Sequence, residues 1–235
     1  MLDKTMRPFV FINAAMSADG KISTHERKQI RISSREDFDR VDELRASVDA
    51  IMIGIGTVLA DNPSLTVKSR DRREMRLKQG KEANSVRVIV DSTARIPVDA
   101  EVLKRGKGKR IIAVSNAASR ARVKKLSKFA EIIIAGDREV DLEQLLMELK
   151  KRGINKLMVE GGGTLNWSLI SLGLVDEINV YIGGLIIGGE ASPTLVDGAG
   201  FLKLEDMPKL ELIECKPMSD GVLLKWRVKF KLGDA

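Results

Sequence analysis

The chain carries a single cysteine, Cys215, and a single histidine, His25. One thiol excludes an intrachain disulfide, and one thiol with one imidazole cannot supply the ligand sets that hold zinc, so no metal site is expected. Cys215 lies in an alternating run near the C-terminus and reads as a structural thiol. His25 lies in the polar stretch Thr24-His-Glu-Arg-Lys28 and reads as a solvated imidazole. Aromatic residues make up only 4% of the chain, which argues against the stacking platforms of single-strand nucleic-acid binders. No apolar run approaches the length of a membrane span, and residues 1–7 are polar. Neither a span nor a signal peptide is therefore expected, and the chain reads as cytoplasmic.

An apolar content of 43% with 20 glycines describes a globular chain, and no linker divides the 235 residues, so one domain over 1–235 is expected. Forty basic residues against 33 acidic ones give a charge of +7, interleaved along most of the length. Such a surface attracts a phosphorylated small molecule as readily as nucleic acid. The segment 68–85 is dense in charge and nearly devoid of apolar residues, and it reads as an exposed insertion with room for a helical portion.

Apolar runs and helical patterns alternate. Pro8-Phe-Val-Phe-Ile-Asn-Ala-Ala15, Ala50 to Ile53, Val86-Arg-Val-Ile-Val90, Arg110-Ile-Ile-Ala-Val114, Ile132 to Ala135 and Lys156-Leu-Met-Val159 read as buried strands. Ser33 and Ser34 offer caps to a helix in which Phe38, Val41, Leu44 and Val48 recur at helical spacing, a stripe expected to pack on the sheet. Residues 118–128 read as a basic helix. Asp141 caps another over 142–152, whose buried stripe is Leu145, Leu146 and Leu149. Two final strands, 210–215 and 222–230, are separated by a short turn and form a hairpin. The pattern predicts a mixed α/β sheet, mostly parallel, with an antiparallel finish.

In such sheets ligands bind beyond the carboxyl ends of the strands, and the polar clusters fall there. Ile51-Met-Ile-Gly-Ile-Gly-Thr-Val-Leu-Ala-Asp-Asn-Pro63 runs from a strand into a glycine turn. A short helical turn follows, which places Thr57 and Asp61 on one face before Pro63 stops it. The dinucleotide fingerprint is incomplete here: Leu59 occupies its third glycine position, and Arg76 and Leu77 stand where a ribose-binding acid belongs. Glu160-Gly-Gly-Gly-Thr164 puts a carboxylate at a strand tip and three glycines before a helix, an arrangement suited to a pyrophosphate. Arg45, near the end of its helix, either complements the helix dipole or binds a phosphate.

Ala15-Met-Ser-Ala-Asp-Gly-Lys-Ile22, Gly54-Ile-Gly-Thr-Val-Leu-Ala-Asp-Asn-Pro-Ser-Leu65, Asp91-Ser-Thr-Ala-Arg-Ile-Pro97 and Glu160-Gly-Gly-Gly-Thr164 together resemble the riboflavin-biosynthesis reductases. That family comprises the reductase domain of the bacterial bifunctional deaminase-reductase and its free-standing archaeal and fungal counterparts. The resemblance runs from Phe9 to about Phe230. It implies a dihydrofolate-reductase-like, three-layer α/β fold, NADPH as cofactor (with NADH as the alternative nicotinamide) and a homodimer. The zinc deaminase signature of the bifunctional enzymes is absent, so the chain resembles the free-standing type, and the archaeal more than the fungal. Those enzymes reduce 2,5-diamino-6-ribosylamino-4(3H)-pyrimidinone 5′-phosphate to its ribitylamino product.

Carried over residue by residue, the resemblance implies that Ala15, Thr57, Asp61, Ser92, Gly161, Gly162, Gly163 and Thr164 surround the cofactor, Ala15 through its backbone. It places Asn13, Arg45, Leu65, Lys68 and Glu160 on the substrate side, with Asp61 and Glu160 as the candidate acids. Asn13 and Lys68 depart from the bacterial pattern, which has a lysine and an arginine there; a lysine meets a phosphate as a point charge, without the bidentate fork. Two alternatives stand beside this reading. One is a pterin or dihydrofolate-type reductase of the same fold, and the other a basic nucleic-acid-binding protein using the 68–84 segment.

Overall fold

The computed structural model describes residues 2–27 and 30–230. Met1 and Lys28, at the edges of the polar stretches noted above, lie outside the described residues, as do 231–235.

Among these residues nine strands form one sheet: β1 (Phe9–Ser17), β2 (Ala50–Gly54), β3 (Val86–Val90), β4 (Arg110–Val114), β5 (Glu131–Ile134), β6 (Lys156–Val159), β7 (Glu177–Gly183), β8 (Lys209–Met218) and β9 (Gly221–Lys229). Their order across the sheet is β5-β4-β3-β2-β6-β1-β7-β9-β8. From β5 to β7 all neighbours are parallel, and β9 runs antiparallel to both β7 and β8. The mostly parallel sheet with an antiparallel finish is thus present.

Among the described residues, seven α-helices connect the strands: α1 (Arg35–Ser47), α2 (Ile55–Asp61), α3 (Arg70–Lys78), α4 (Glu101–Lys104), α5 (Arg120–Leu126), α6 (Leu142–Lys151) and α7 (Gly163–Ser171). Alternation along the strands divides the core in two, because successive side chains point to opposite faces. Val10, Ile12, Ala50, Met52, Val88, Leu157 and Val159 pack with α6 and α7. Phe11, Ile51, Ile53, Ile89, Ile112 and Met158 pack with Ile55, Val58, Val102, Leu103 and Leu126 from α2, α4 and α5. The result is three layers. Asp141 caps α6 by accepting from the Gln144 N–H, and Leu145, Leu146 and Leu149 are fully buried beneath it.

Three local expectations change. The stripe of α1 straddles two faces: Phe38 is 51% exposed, the helix ends at Ser47, and the buried Val48 already lies in extended backbone. Segment 68–85 is exposed over most of its length and carries the helical portion expected of it, α3, but it is anchored, because its arginines find acceptors on and beside α1. Arg72 pairs with Asp39 and Asp42, and buried Arg76 donates to the carbonyls of Ala46, Val48 and Glu82. The basic helix is shorter than its pattern, 120–126. Cys215 faces outward from the edge strand β8, and His25 is exposed.

Several basic residues serve the interior. Arg87 is fully buried and donates to carbonyls of Val102 and Arg105; burial, with Arg110 nearby, pulls its guanidinium down to about 10. Arg7 makes two bonds to Asp176, 2.7 and 2.9 Å long, and the Val10 N–H donates to the same carboxylate at 2.8 Å. Burial pushes the Asp176 carboxyl up, but these donors outweigh it and hold it below its ordinary value. With a depressed folded value, its stabilisation is complete above the unfolded value of about 4 and is lost as pH falls through the folded one. Asp176→Asn is therefore expected to flatten the acid limb of the stability curve below about pH 4. Urea unfolding at stepped pH checks this, and an unchanged acid slope would remove Asp176 as a contributor.

Candidate active site

The chain passes from β1 to β2, runs outward through β3 to β5, and returns to insert β6 between β2 and β1. The carboxyl ends of these three central strands open into one cavity of about 920 Å³, near the upper end of the range for small-ligand sites. β6 pairs with β1 only from Phe9 to Ile12, whereas β1 continues to Ser17. The β6-side backbone edge from Asn13 onward therefore has no strand partner, and Asn13, Ala14 and Ala15 line the cavity. Buried Asn13 leaves its side-chain oxygen without a protein partner.

The turn after β6 and the start of α2 meet on one side. Gly161 and Gly162 have φ of 138° and 86°, conformations that side-chain-bearing residues rarely adopt. A Cβ on Gly162 would stand 3.1 Å from Thr57 Oγ1, and one on Gly163 would strike Asp197 and the Thr194 carbonyl at 2.6 and 2.7 Å. The glycines thus hold backbone against Thr57 and leave a cradle that side chains would fill. Thr57, Asp61 and Thr164 line the same cavity. Asp61 has only burial acting on it, which raises its carboxyl above the ordinary value.

The opposite wall comes from α1, whose residues Arg35, Phe38, Asp42 and Arg45 recur on one face and all line the cavity. At its floor Arg45 makes a bidentate pair with Glu160 at the β6 tip, Nε to Oε1 at 2.7 Å and Nη2 to Oε2 at 2.6 Å. Burial would lower the Arg45 guanidinium, and Glu160 more than offsets it, so its affinity for the proton rises. Beside the pair, Lys68 Nζ donates to Ser64 Oγ at 3.0 Å, and Ser64 and Thr66 hydroxyls are 3.1 Å apart. Burial, with Arg105 and Arg45 nearby, lowers the Lys68 ammonium. Leu65 between them is buried in left-handed backbone (φ 51°), an unusual state for a leucine that turns the segment into the cavity.

One expected site residue stands apart. Ser92 is not part of the cavity lining; its hydroxyl accepts the Val140 N–H at 3.1 Å and its carbonyl accepts from Ser115. Arg45 meets a carboxylate where a phosphate was one expectation. Sequence reasoning missed Ser64, Phe38 and Asp197. Phe38 was assigned to the core stripe, and Asp197 lies in a loop with no periodic signal.

The RibD C-terminal domain family model matches residues 8–224. The chain belongs to that family. It is 53% identical over 208 residues to the 2,5-diamino-6-ribosylamino-4(3H)-pyrimidinone 5′-phosphate reductase of Archaeoglobus fulgidus, covering 88% of this chain and 94% of that one. Its identity to the reductase of the same name from Methanothermobacter thermautotrophicus is 46% over 224 residues, covering 95% of this chain and all of the other. Among solved structures, Acinetobacter baumannii RibD superposes with a TM-score of 0.78 at 23% identity, a likeness of fold alone. The match covers 96% of this chain and 59% of that one, so this member of the RibD C-terminal domain family spans little more than half of the longer protein.

Proposed function

We propose that this protein is an NADPH-dependent reductase of 2,5-diamino-6-ribosylamino-4(3H)-pyrimidinone 5′-phosphate, converting its ribosyl side chain to the ribityl one. The names of the archaeal reductases at 53% and 46% identity support this reading. The observation that carries it is one cavity with two unlike corners: a glycine cradle beside Thr57 and Asp61, and a cationic, hydroxyl-bearing corner at Arg45, Ser64 and Lys68.

The cradle fits a nicotinamide dinucleotide. Gly161 to Thr164 would hold its pyrophosphate on backbone, Thr57 and Asp61 its hydroxyls, and the unpaired edge at Ala15 its carboxamide. When bound, the dinucleotide supplies a hydride to C1′ of the imine formed by opening of the ribosylamine ring. The protein's task is alignment. Lys68 and Ser64 would take the phosphate, Arg45 would hold Glu160 toward the sugar, and Asn13 would lie beside the transfer point. Both Glu160 oxygens already accept from Arg45, which fixes the orientation of that carboxylate.

The proposal extends to a cytoplasmic homodimer with neither membrane nor nucleic acid as partner. No helix among the described residues is long and apolar enough to cross a membrane, and the basic 68–85 segment spends several arginines on internal acceptors. The test is nicotinamide absorbance. Its decay with the ribosylaminopyrimidine phosphate and not with dihydrofolate is expected; turnover of dihydrofolate alone would overturn the assignment.

A further inference from the structure

The cavity's wall along α1 changes character from floor to rim. At the floor Arg45 and Glu160 are paired, and further out along the same helical face stands Phe38. The two are seven residues apart, about 10 Å along the axis, comparable to the reach from the sugar to the far ring edge of a ribosylaminopyrimidine. Phe38 is the only aromatic side chain that lines the cavity among the described residues. It is 51% exposed, although most of a phenyl ring's value to a fold comes from burial. Arg31 stands over the ring at 5.8 Å from its centroid, a cation–π contact. Ile30, Ile32 and Val41 line the same cavity. A half-exposed aromatic ring thus shares the cavity with aliphatic side chains, and neither core packing nor a phosphate contact accounts for it.

We infer that Phe38 is the stacking platform for the pyrimidinone ring, and that with Ile30 and Ile32 it sets the preference for a planar heterocycle at that end of the substrate. The inference rests on the substrate proposed above and adds the residue that would recognise its ring. A phenyl face accepts a heteroaromatic ring in offset stacking, while the sugar phosphate is held elsewhere.

The test compares wild type, Phe38→Ala and Phe38→Tyr. For Phe38→Ala, KM for the ribosylaminopyrimidine phosphate is expected to rise about tenfold, ~1.4 kcal/mol, in the range of base–aromatic stacking. Affinity for NADPH and inhibition by ribose 5-phosphate, which has the sugar phosphate and no ring, are expected to stay unchanged. Phe38→Tyr is expected to retain near wild-type KM. An unchanged KM in Phe38→Ala overturns the inference. So does an equal loss of ribose 5-phosphate inhibition, which would mark a general disturbance, or a weakened NADPH affinity, which would give the ring to the dinucleotide. Failure of the wild type to reduce the substrate at all overturns the functional proposal instead, so the two failures are distinguishable.

Discussion

Arg45→Ala is expected to destabilise the protein by about 3–5 kcal/mol and to abolish substrate reduction. The pair it breaks is well enclosed, with side-chain exposures of 18% for Arg45 and 10% for Glu160. Both guanidinium bonds are short and each carboxylate oxygen has its own donor, the geometry in which an arginine cannot be replaced by a point charge. Without Arg45, Glu160 would be a largely buried acid with neither of its two guanidinium donors, and that uncompensated group is the source of the loss. Arg45→Lys should recover part of the stability and little of the activity. The double replacement Arg45→Ala with Glu160→Gln should recover most of the stability while remaining inactive, because it removes the buried charge but not the need for an oriented carboxylate. Urea unfolding and nicotinamide absorbance read both quantities. Arg45→Ala with wild-type stability would show that the pair carries little energy.

Asp61→Asn is expected to weaken NADPH binding by about 10- to 100-fold, the value of a hydrogen bond to a charged group. Asp61 lines the cavity together with Thr57 and the glycine cradle, and asparagine keeps the shape while removing the charge. The pH dependence has a definite sign. Burial raises the Asp61 carboxyl, so its acceptor role is complete above that raised value and fades as pH falls through it, at a higher pH than an ordinary aspartate would show. Quenching or transfer fluorescence of bound NADPH between pH 4 and 8, on the order of the range where carboxylates and histidines titrate, should show this fall in the wild type. In Asp61→Asn the fall should be absent. Equal affinities for the two proteins at neutral pH would remove Asp61 from the cofactor site.

Much of the architecture could be read before any coordinates, because the signals are short-range. Buried strands show as β-branched runs, Asp141 marks the start of α6 through its capping oxygen, and the alternation of strands with helices implies a parallel sheet. The glycine turn was legible for the same reason: positive φ at Gly161 and Gly162 is a local demand that only glycine meets cheaply. Thr57 and Asp61, four apart, needed only one helical turn to share a face.

The partners of those residues were not legible. Arg45 and Glu160 are 115 residues apart and meet because β6 inserts between β2 and β1, a sheet order that no periodicity encodes. Asp197 reaches Gly163 from a loop with no pattern of its own. Phe38 was misread because Phe38, Val41 and Leu44 fit a helical stripe, and only docking decides which side of a stripe meets the sheet and which meets the cavity. Local sequence therefore settled the elements, their caps and the chemistry placed at strand ends. Tertiary packing settled which groups face one another, since contacts between distant segments depend on how the strands are ordered across the sheet and not on the spacing of residues along the chain.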